Sequence, residues 1–199
     1  KKVSEIKGCF VECGVGYGRS ALIIESILQN NNDLRDFYLL DSFKGFPELS
    51  AEDLTASSRS YKGNWNWINP KNLLEILAAS SSMDTESYSY KNQNRIKIFR
   101  GFFSNTINED LLLKIKDSNG IALLHLDVDL YNSTKECLEA FFSHVNKGGI
   151  ILFDEYEGFA LNKFPGSKKA IDEFLNSKDL IPKDIIKKDS SGKYYMIKN

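Results

Sequence analysis

Apolar runs that stop at an acid recur along this chain. Gly8 to Cys13 is apolar apart from Glu12, Phe37 to Asp41 ends in Asp41, Ile121 to Leu126 runs into Asp127, and Ile150 to Phe153 runs into Asp154. Short continuous apolar runs bounded by turn residues predict strands covered on both faces. Arg95 to Phe99 alternates and predicts one more short strand. Helical spacing lies between the runs. Ser20 to Gln29 carries Ala21, Leu22, Ile24, Ile27 and Leu28 on one face, Thr106 to Ile115 carries Leu111, Leu112 and Ile115, and Ser133 to Val145 carries Cys137, Leu138, Phe141 and Phe142. Ser167 to Leu175 predicts a further helix. Ile185 to Lys188 and Lys193 to Ile197, joined by Asp189-Ser190-Ser191-Gly192, predict a hairpin.

Alternating strands and helices imply an α/β fold. Its sheet is mostly parallel, helices cover both faces, and ligands bind outside the carboxyl ends of the strands. Glu12, Asp41, Asp127 and Asp154 all fall at such ends. The pattern breaks down between Pro47 and Asn94, which is rich in Ser and Asn and carries Tyr61, Trp65, Trp67, Tyr88 and Tyr90. Pro70 to Ala79 could be a helix within it. So long an excursion is expected as a lid or insertion (47–94) on a single domain (1–199).

Phe10 to Ser20 reads Phe-Val-Glu-Cys-Gly-Val-Gly-Tyr-Gly-Arg-Ser, a strand, a glycine-rich turn and a helix start. Glycines let a ligand approach the main chain closely, as in nucleotide-binding βα turns. Asp41 follows Gly18 by 23 positions, close to where an acid meets ribose hydroxyls in such units.

Composition narrows the partners. Lys and Arg number 26 and Asp and Glu 27, which disfavours nucleic acid or a membrane surface as the main partner. No apolar run approaches the length of a membrane span. The three cysteines fit small core residues in a reducing cytoplasm, where the chain is expected, and no Cys/His spacing suggests zinc. The chain opens at Lys1 with no visible signal peptide, which leaves room for a preceding segment.

The acids carry the chemistry. Asp127, Asp129, Asp154 and Glu155 come from adjacent strand ends, and four carboxylates in one cleft repel each other unless protons or a cation intervene. A hard divalent ion such as Mg²⁺ resolves the repulsion, and only some of the four need be ligands. A carboxylate beside such an ion can instead take a proton from a metal-bound hydroxyl. His125 reads as a satisfied core residue behind the ligands rather than a ligand itself.

Several blocks then come in a recognisable order. They are Val11-Glu12-Cys13-Gly14-Val15 with Gly18, Asp41-Ser42-Phe43-Lys44-Gly45-Phe46-Pro47, Gly101-Phe102-Phe103 with Thr106, Leu124 to Tyr131 with Ser133-Thr134, and Gly148-Gly149 through Phe153-Asp154-Glu155-Tyr156. In these blocks the chain resembles the macrocin O-methyltransferase family, class I S-adenosylmethionine-dependent sugar O-methyltransferases. The resemblance implies a Rossmann-like sheet of seven strands with an antiparallel C-terminal strand. It also implies Mg²⁺-assisted methyl transfer to a hydroxyl of a saccharide or glycoside.

By resemblance Asp127, Asp154 and Glu155 are the metal ligands and Asp129 is the general base. The expected cofactor contacts are Glu12, Gly14, Gly16, Gly18, Ser20, Asp41, Ser42, Gly101, Phe102 and Asp127. The family usually has two acids of one kind where this chain has Asp154-Glu155, which leaves the coordination by Glu155 open. It also carries a segment before the first strand, absent here, that helps close the site or build an oligomer; a homo-oligomer, the assembly the family suggests, is implied less strongly for this chain. Two other readings stand beside this one: a nicotinamide-dependent oxidoreductase, because the first turn overlaps that fingerprint, and a non-catalytic cofactor-binding domain on the same fold.

Overall fold

The computed structural model describes residues 3–54, 60–66, 69–80, 95–157 and 163–199. Seven strands form one sheet in the order β3-β2-β1-β4-β5-β7-β6. β1 (Cys9–Cys13), β2 (Phe37–Asp41), β3 (Ile96–Arg100), β4 (Ile121–Leu126) and β5 (Val145–Phe153) are parallel, whereas β7 (Tyr194–Ile197) runs antiparallel to β5 and β6 (Lys187–Lys188) antiparallel to β7. The expected class, a mostly parallel seven-strand sheet ending in an antiparallel hairpin, is the observed one.

The central strands are apolar throughout because both faces are covered. Every residue of β1 is buried. On one face lie α4 (Glu109–Asp117), α5 (Tyr131–Phe141) and α6 (Pro165–Asn176), which add Leu111, Ile115, Cys137, Phe141 and Ile171 to the larger core. On the other lie α1 (Arg19–Asn30) and α2 (Pro70–Ser80), which pack Ala21, Leu28, Leu73 and Leu77 against Phe10, Phe37 and Leu39. Among those apolar side chains Glu25 is fully buried, and Arg95, at the entry to β3, pairs with it through Nη1 at 2.8 Å and through Nη2. The edge strand β6 is two exposed lysines, a short charged edge that discourages pairing with another sheet.

Three elements differ from their sequence expectation, each for a local reason. The helix expected over Thr106 to Ile115 is two, α3 (Phe103–Thr106) and α4, because the Asn108 side chain caps α4 by accepting from the Leu111 N–H at 3.0 Å. β5 begins five residues earlier than the apolar run, and its pairing with β4 shifts register beside Gly148, whose φ is +83°. α5 starts at Tyr131 and gives way to a 3₁₀ turn over Phe142–His144.

The excursion after β2 is folded where it is described. Phe46 and Asn64 exchange a backbone hydrogen bond of 2.8 Å, Gly63 donates back to the Phe46 carbonyl at 2.9 Å, and a 3₁₀ turn forms over Ala51–Asp53. Phe46, Leu130 and Phe164, with Leu49 and Trp65 against them, make a small third core under this segment. Trp67, Tyr88 and Tyr90 lie outside the described residues. Among the described residues no helix is long and apolar enough to cross a membrane.

Candidate functional site

The chain reverses its direction across the sheet between β1 and β4, and there the carboxyl ends of two neighbouring strands diverge into a crevice. The two ends touch. Gly14 has φ +81°, and a Cβ on it would lie 1.8 Å from the Asp127 carbonyl oxygen, so only glycine fits. The Asp127 N–H donates to the Cys13 carbonyl at 2.9 Å, which extends the ladder to this junction. A cavity of about 590 Å³ opens above it, a size suited to a small-molecule site.

One side of the cavity is the glycine turn and the end of β2. Asp41 accepts three backbone hydrogen bonds: Oδ2 from Val15 at 2.8 Å and Gly16 at 3.1 Å, and Oδ1 from Phe43 at 2.7 Å. The acid expected to meet a ribose therefore also clamps the turn, and an ionised carboxylate with about four acceptor directions keeps one for a ligand. Gly14, Gly16, Ser20, Asp41, Ser42, Gly101 and Phe102 all border the cavity.

Glu12 and Gly18, expected as cofactor contacts, do not. Glu12 is fully buried below the turn, where the Ser20 hydroxyl donates to it and His125 Nδ1 lies 3.6 Å away. Gly18, at φ +74°, starts α1, and its Cα faces Leu73 so closely that a Cβ would meet that side chain at 2.4 Å. Both shape the wall from behind.

The other side holds Asp127, Asp129, Asp154 and Glu155, all lining the cavity. Carboxylate oxygens of Asp127, Asp129 and Glu155 lie within 4.8 Å of one another, and Asp127 and Asp154 form a second such group with His125. Asp129 has φ +61°, and the Leu130 N–H reaches the Val128 carbonyl at 2.6 Å. This closes a tight three-residue turn that presents Asp129 in a sparsely populated backbone conformation, a strain found at functional sites.

Electrostatics follow from crowding. Burial and the neighbouring Asp154 push Asp127 up to about 7. Burial and Asp127 push Asp129 well above the usual carboxylate range. Burial together with Asp129, Asp127 and Asp154 pushes Glu155 up to about 11. Burial alone would raise Asp154 too, but the hydrogen bond and charge of Lys193 outweigh it and hold that carboxyl low. Burial opposes protonation of His125, yet Glu12, Asp127 and Asp154 around it raise its pKa. His125 is buried behind the acids, but its Nδ1 lacks a hydrogen-bond partner, so it is not the satisfied core residue the sequence suggested.

The acids fit a hard divalent cation. All are oxygen donors, three are held toward the protonated state by burial and by mutual repulsion, and the buried Glu155 Oε2 has no hydrogen-bond partner.

Aromatic side chains close the remaining wall. Trp65 meets the Tyr17 ring edge-on at 6.2 Å, the Lys163 ammonium sits 5.0 Å from the Trp65 ring and 4.6 Å from that of Phe164, and Phe46 meets Phe164 at 6.1 Å. Asp53 anchors this wall. Its Oδ1 accepts from the Tyr131 N–H at 2.7 Å, capping α5, while Oδ2 accepts from the Ser50 N–H and hydroxyl at 3.0 and 2.8 Å. Gly166 leaves room for it, because a Cβ there would lie 2.0 Å from Asp53 Oδ1. Asp53, Lys163 and Lys193 escaped the sequence reading. Only Lys193 left a signal, its place at the start of the second hairpin strand.

Known proteins resemble this chain along most of its length. It is 26% identical over 152 residues to the 8-demethyl-8-(2,3-dimethoxy-alpha-L-rhamnosyl)-tetracenomycin-C 4'-O-methyltransferase of Streptomyces olivaceus, covering 76% of this chain and 54% of that protein. It is 27% identical over 196 residues to the demethyldecarbamoylnovobiocin O-methyltransferase of Streptomyces niveus, covering 96% of this chain and 67% of that protein. The chain thus spans about half to two thirds of the length of these curated relatives. A crystal structure of a calicheamicin methyltransferase superposes with a TM-score of 0.79 at 25% identity, over 98% of this chain and 74% of that one. The family model for macrocin O-methyltransferase (TylF) matches residues 2–196, and the protein belongs to that family.

Proposed function

We propose that this protein is an S-adenosylmethionine-dependent O-methyltransferase acting on a hydroxyl of a sugar or glycosylated small molecule, with Mg²⁺ at the acid cluster. The observation that carries the reading is the joint between Gly14 and Asp127. It sets a glycine turn clamped by Asp41 and a crowded carboxylate cluster on opposite sides of one cavity. Two relatives support the acceptor class: one is a 4'-O-methyltransferase of a rhamnosyl-tetracenomycin, a glycoside, and the other an O-methyltransferase of demethyldecarbamoylnovobiocin, a small molecule.

The donor would supply an electrophilic methyl group on a sulfonium, and a bound Mg²⁺ would make the acceptor hydroxyl more acidic. The chain's residues supply the rest. The turn from Gly14 to Ser20 and the free acceptor direction of Asp41 bind and orient the donor. Asp127, Asp154 and Glu155 would hold the cation. Asp129 takes the hydroxyl proton on a carboxylate oxygen, from its place beside Asp127 and Glu155. Trp65, Tyr17, Phe46 and Phe164 give flat faces for the apolar side of a sugar ring and exclude water. Fixing the acceptor oxygen in line with the methyl is the main demand of such a displacement.

Calorimetric titration with S-adenosylhomocysteine and with NAD tests the donor. Binding of the first alone is expected, and binding of NAD alone would return the chain to the oxidoreductase reading. Methyl transfer from labelled donor to a panel of glycosides, with and without a chelator, tests the rest. Transfer that needs Mg²⁺ is expected, and equal transfer in chelator would remove the metal from the reaction. Donor binding without transfer to any glycoside would favour the non-catalytic reading.

A further inference from the structure

The acid cluster already contains a cation, and it comes from the far end of the sequence. β7 runs antiparallel to β5 with Phe153 opposite Tyr194, so continuing the register by one residue sets Lys193 opposite Asp154. The Lys193 ammonium donates to Asp154 Oδ1.

This lysine is not a loose tail. The turn before it is tied by Asp189, whose Oδ1 accepts from the Ser191 N–H at 2.9 Å, the Ser191 hydroxyl at 2.7 Å and the Lys193 N–H at 3.0 Å. The Asp189 N–H closes the turn by donating to the Lys193 carbonyl at 2.9 Å. Tyr194, the next residue, is buried and donates its hydroxyl to Glu157 at 3.2 Å. Sheet register, turn and buried neighbour together aim one ammonium at one carboxylate of the cluster.

We propose that Lys193 is a resident counter-ion of the acid cluster that competes with a divalent cation for Asp154, and so sets how tightly the metal is held. The proposal rests on the metal reading above. Without a divalent ion, the ammonium neutralises Asp154 and leaves Asp127, Asp129 and Glu155 to share protons. For Asp154 to serve as a ligand, Lys193 must give up this contact, and its half-exposed side chain has solvent to turn into. Until it turns away, its positive charge also repels an arriving divalent ion directly. Both effects weaken metal binding relative to the same acids without the lysine.

Titration of Mn²⁺ into the full chain, followed by electron paramagnetic resonance of free Mn²⁺, tests this in wild type, Lys193→Met, Lys193→Gln and Lys193→Arg. Removing the charge is expected to tighten Mn²⁺ at least about tenfold, the Coulomb effect of one charge at contact in an intermediate dielectric. Lys193→Arg, still cationic, should stay near wild type. A lysine that merely braces the hairpin would, when removed, loosen the site, so unchanged or weaker Mn²⁺ binding in both neutral variants would overturn the proposal. Mn²⁺ binding to neither wild type nor variants at millimolar concentration would instead bring down the metal reading, and the proposal with it. S-adenosylhomocysteine binding, measured in parallel, reports whether the rest of the site is intact.

Discussion

The two sides of the cavity solve opposite electrostatic problems. On the glycine-turn side one carboxylate, Asp41, meets three backbone N–H donors, so its charge is satisfied within the protein. On the acid side four carboxylates meet mainly each other, and three of them are driven toward protonation. The first side is finished before any ligand arrives. The second is unfinished, and Lys193 donates to one of its four acids, Asp154. On the function proposed above, the preorganised half takes the donor and the half left in repulsion takes positive charge.

This contrast can be broken most strongly at Asp129. Asp129→Asn should lower kcat by about 10²–10⁴-fold, the range for a lost general base, while Mn²⁺ and S-adenosylhomocysteine dissociation constants stay near wild type. An equal loss of metal binding would make Asp129 a ligand instead. That result would suit its oxygen contact with Asp127 and Glu155.

Gly14→Ala strikes the joint that holds the sides together. An alanine there carries an unfavourable positive φ and drives its Cβ into the Asp127 carbonyl. Strain and overpacking together should cost about 2–5 kcal/mol of stability, visible as a lowered denaturation midpoint. Both donor and metal binding should weaken in this variant. If only donor binding weakens, the sides are independent.

Asp41→Ala acts on the finished side alone. Losing bonds to a charged group costs about 1.5–3 kcal/mol, so S-adenosylhomocysteine should bind at least about tenfold more weakly, with Mn²⁺ affinity unchanged. Calorimetry measures both.

Trp65→Ala should have the smallest effect. An aromatic pair is worth about 0.5–1.5 kcal/mol, so the acceptor KM should rise by about two- to tenfold while the donor dissociation constant holds. An unchanged acceptor KM would leave the wall without a role in recognition.

The sequence by itself determined the sheet and the identity of the acids. A parallel strand buried on both faces must be an unbroken apolar run, so β1, β2, β4 and the end of β5 announced themselves, and the first polar residue after each run had to emerge at the same edge. The glycine turn was equally legible, because only glycine tolerates the positive φ that lets Gly14 pass Asp127. The tertiary structure decided which charges meet. Glu12 left the cavity for a buried contact with Ser20, Asp53 travelled 78 residues to cap α5, and Lys193 came 39 residues to Asp154. Local patterns carry the periodicity of an element and the face it buries. Pairings between distant charges depend on strand register and on which loops fold over the cavity, and those are fixed only when the whole chain packs.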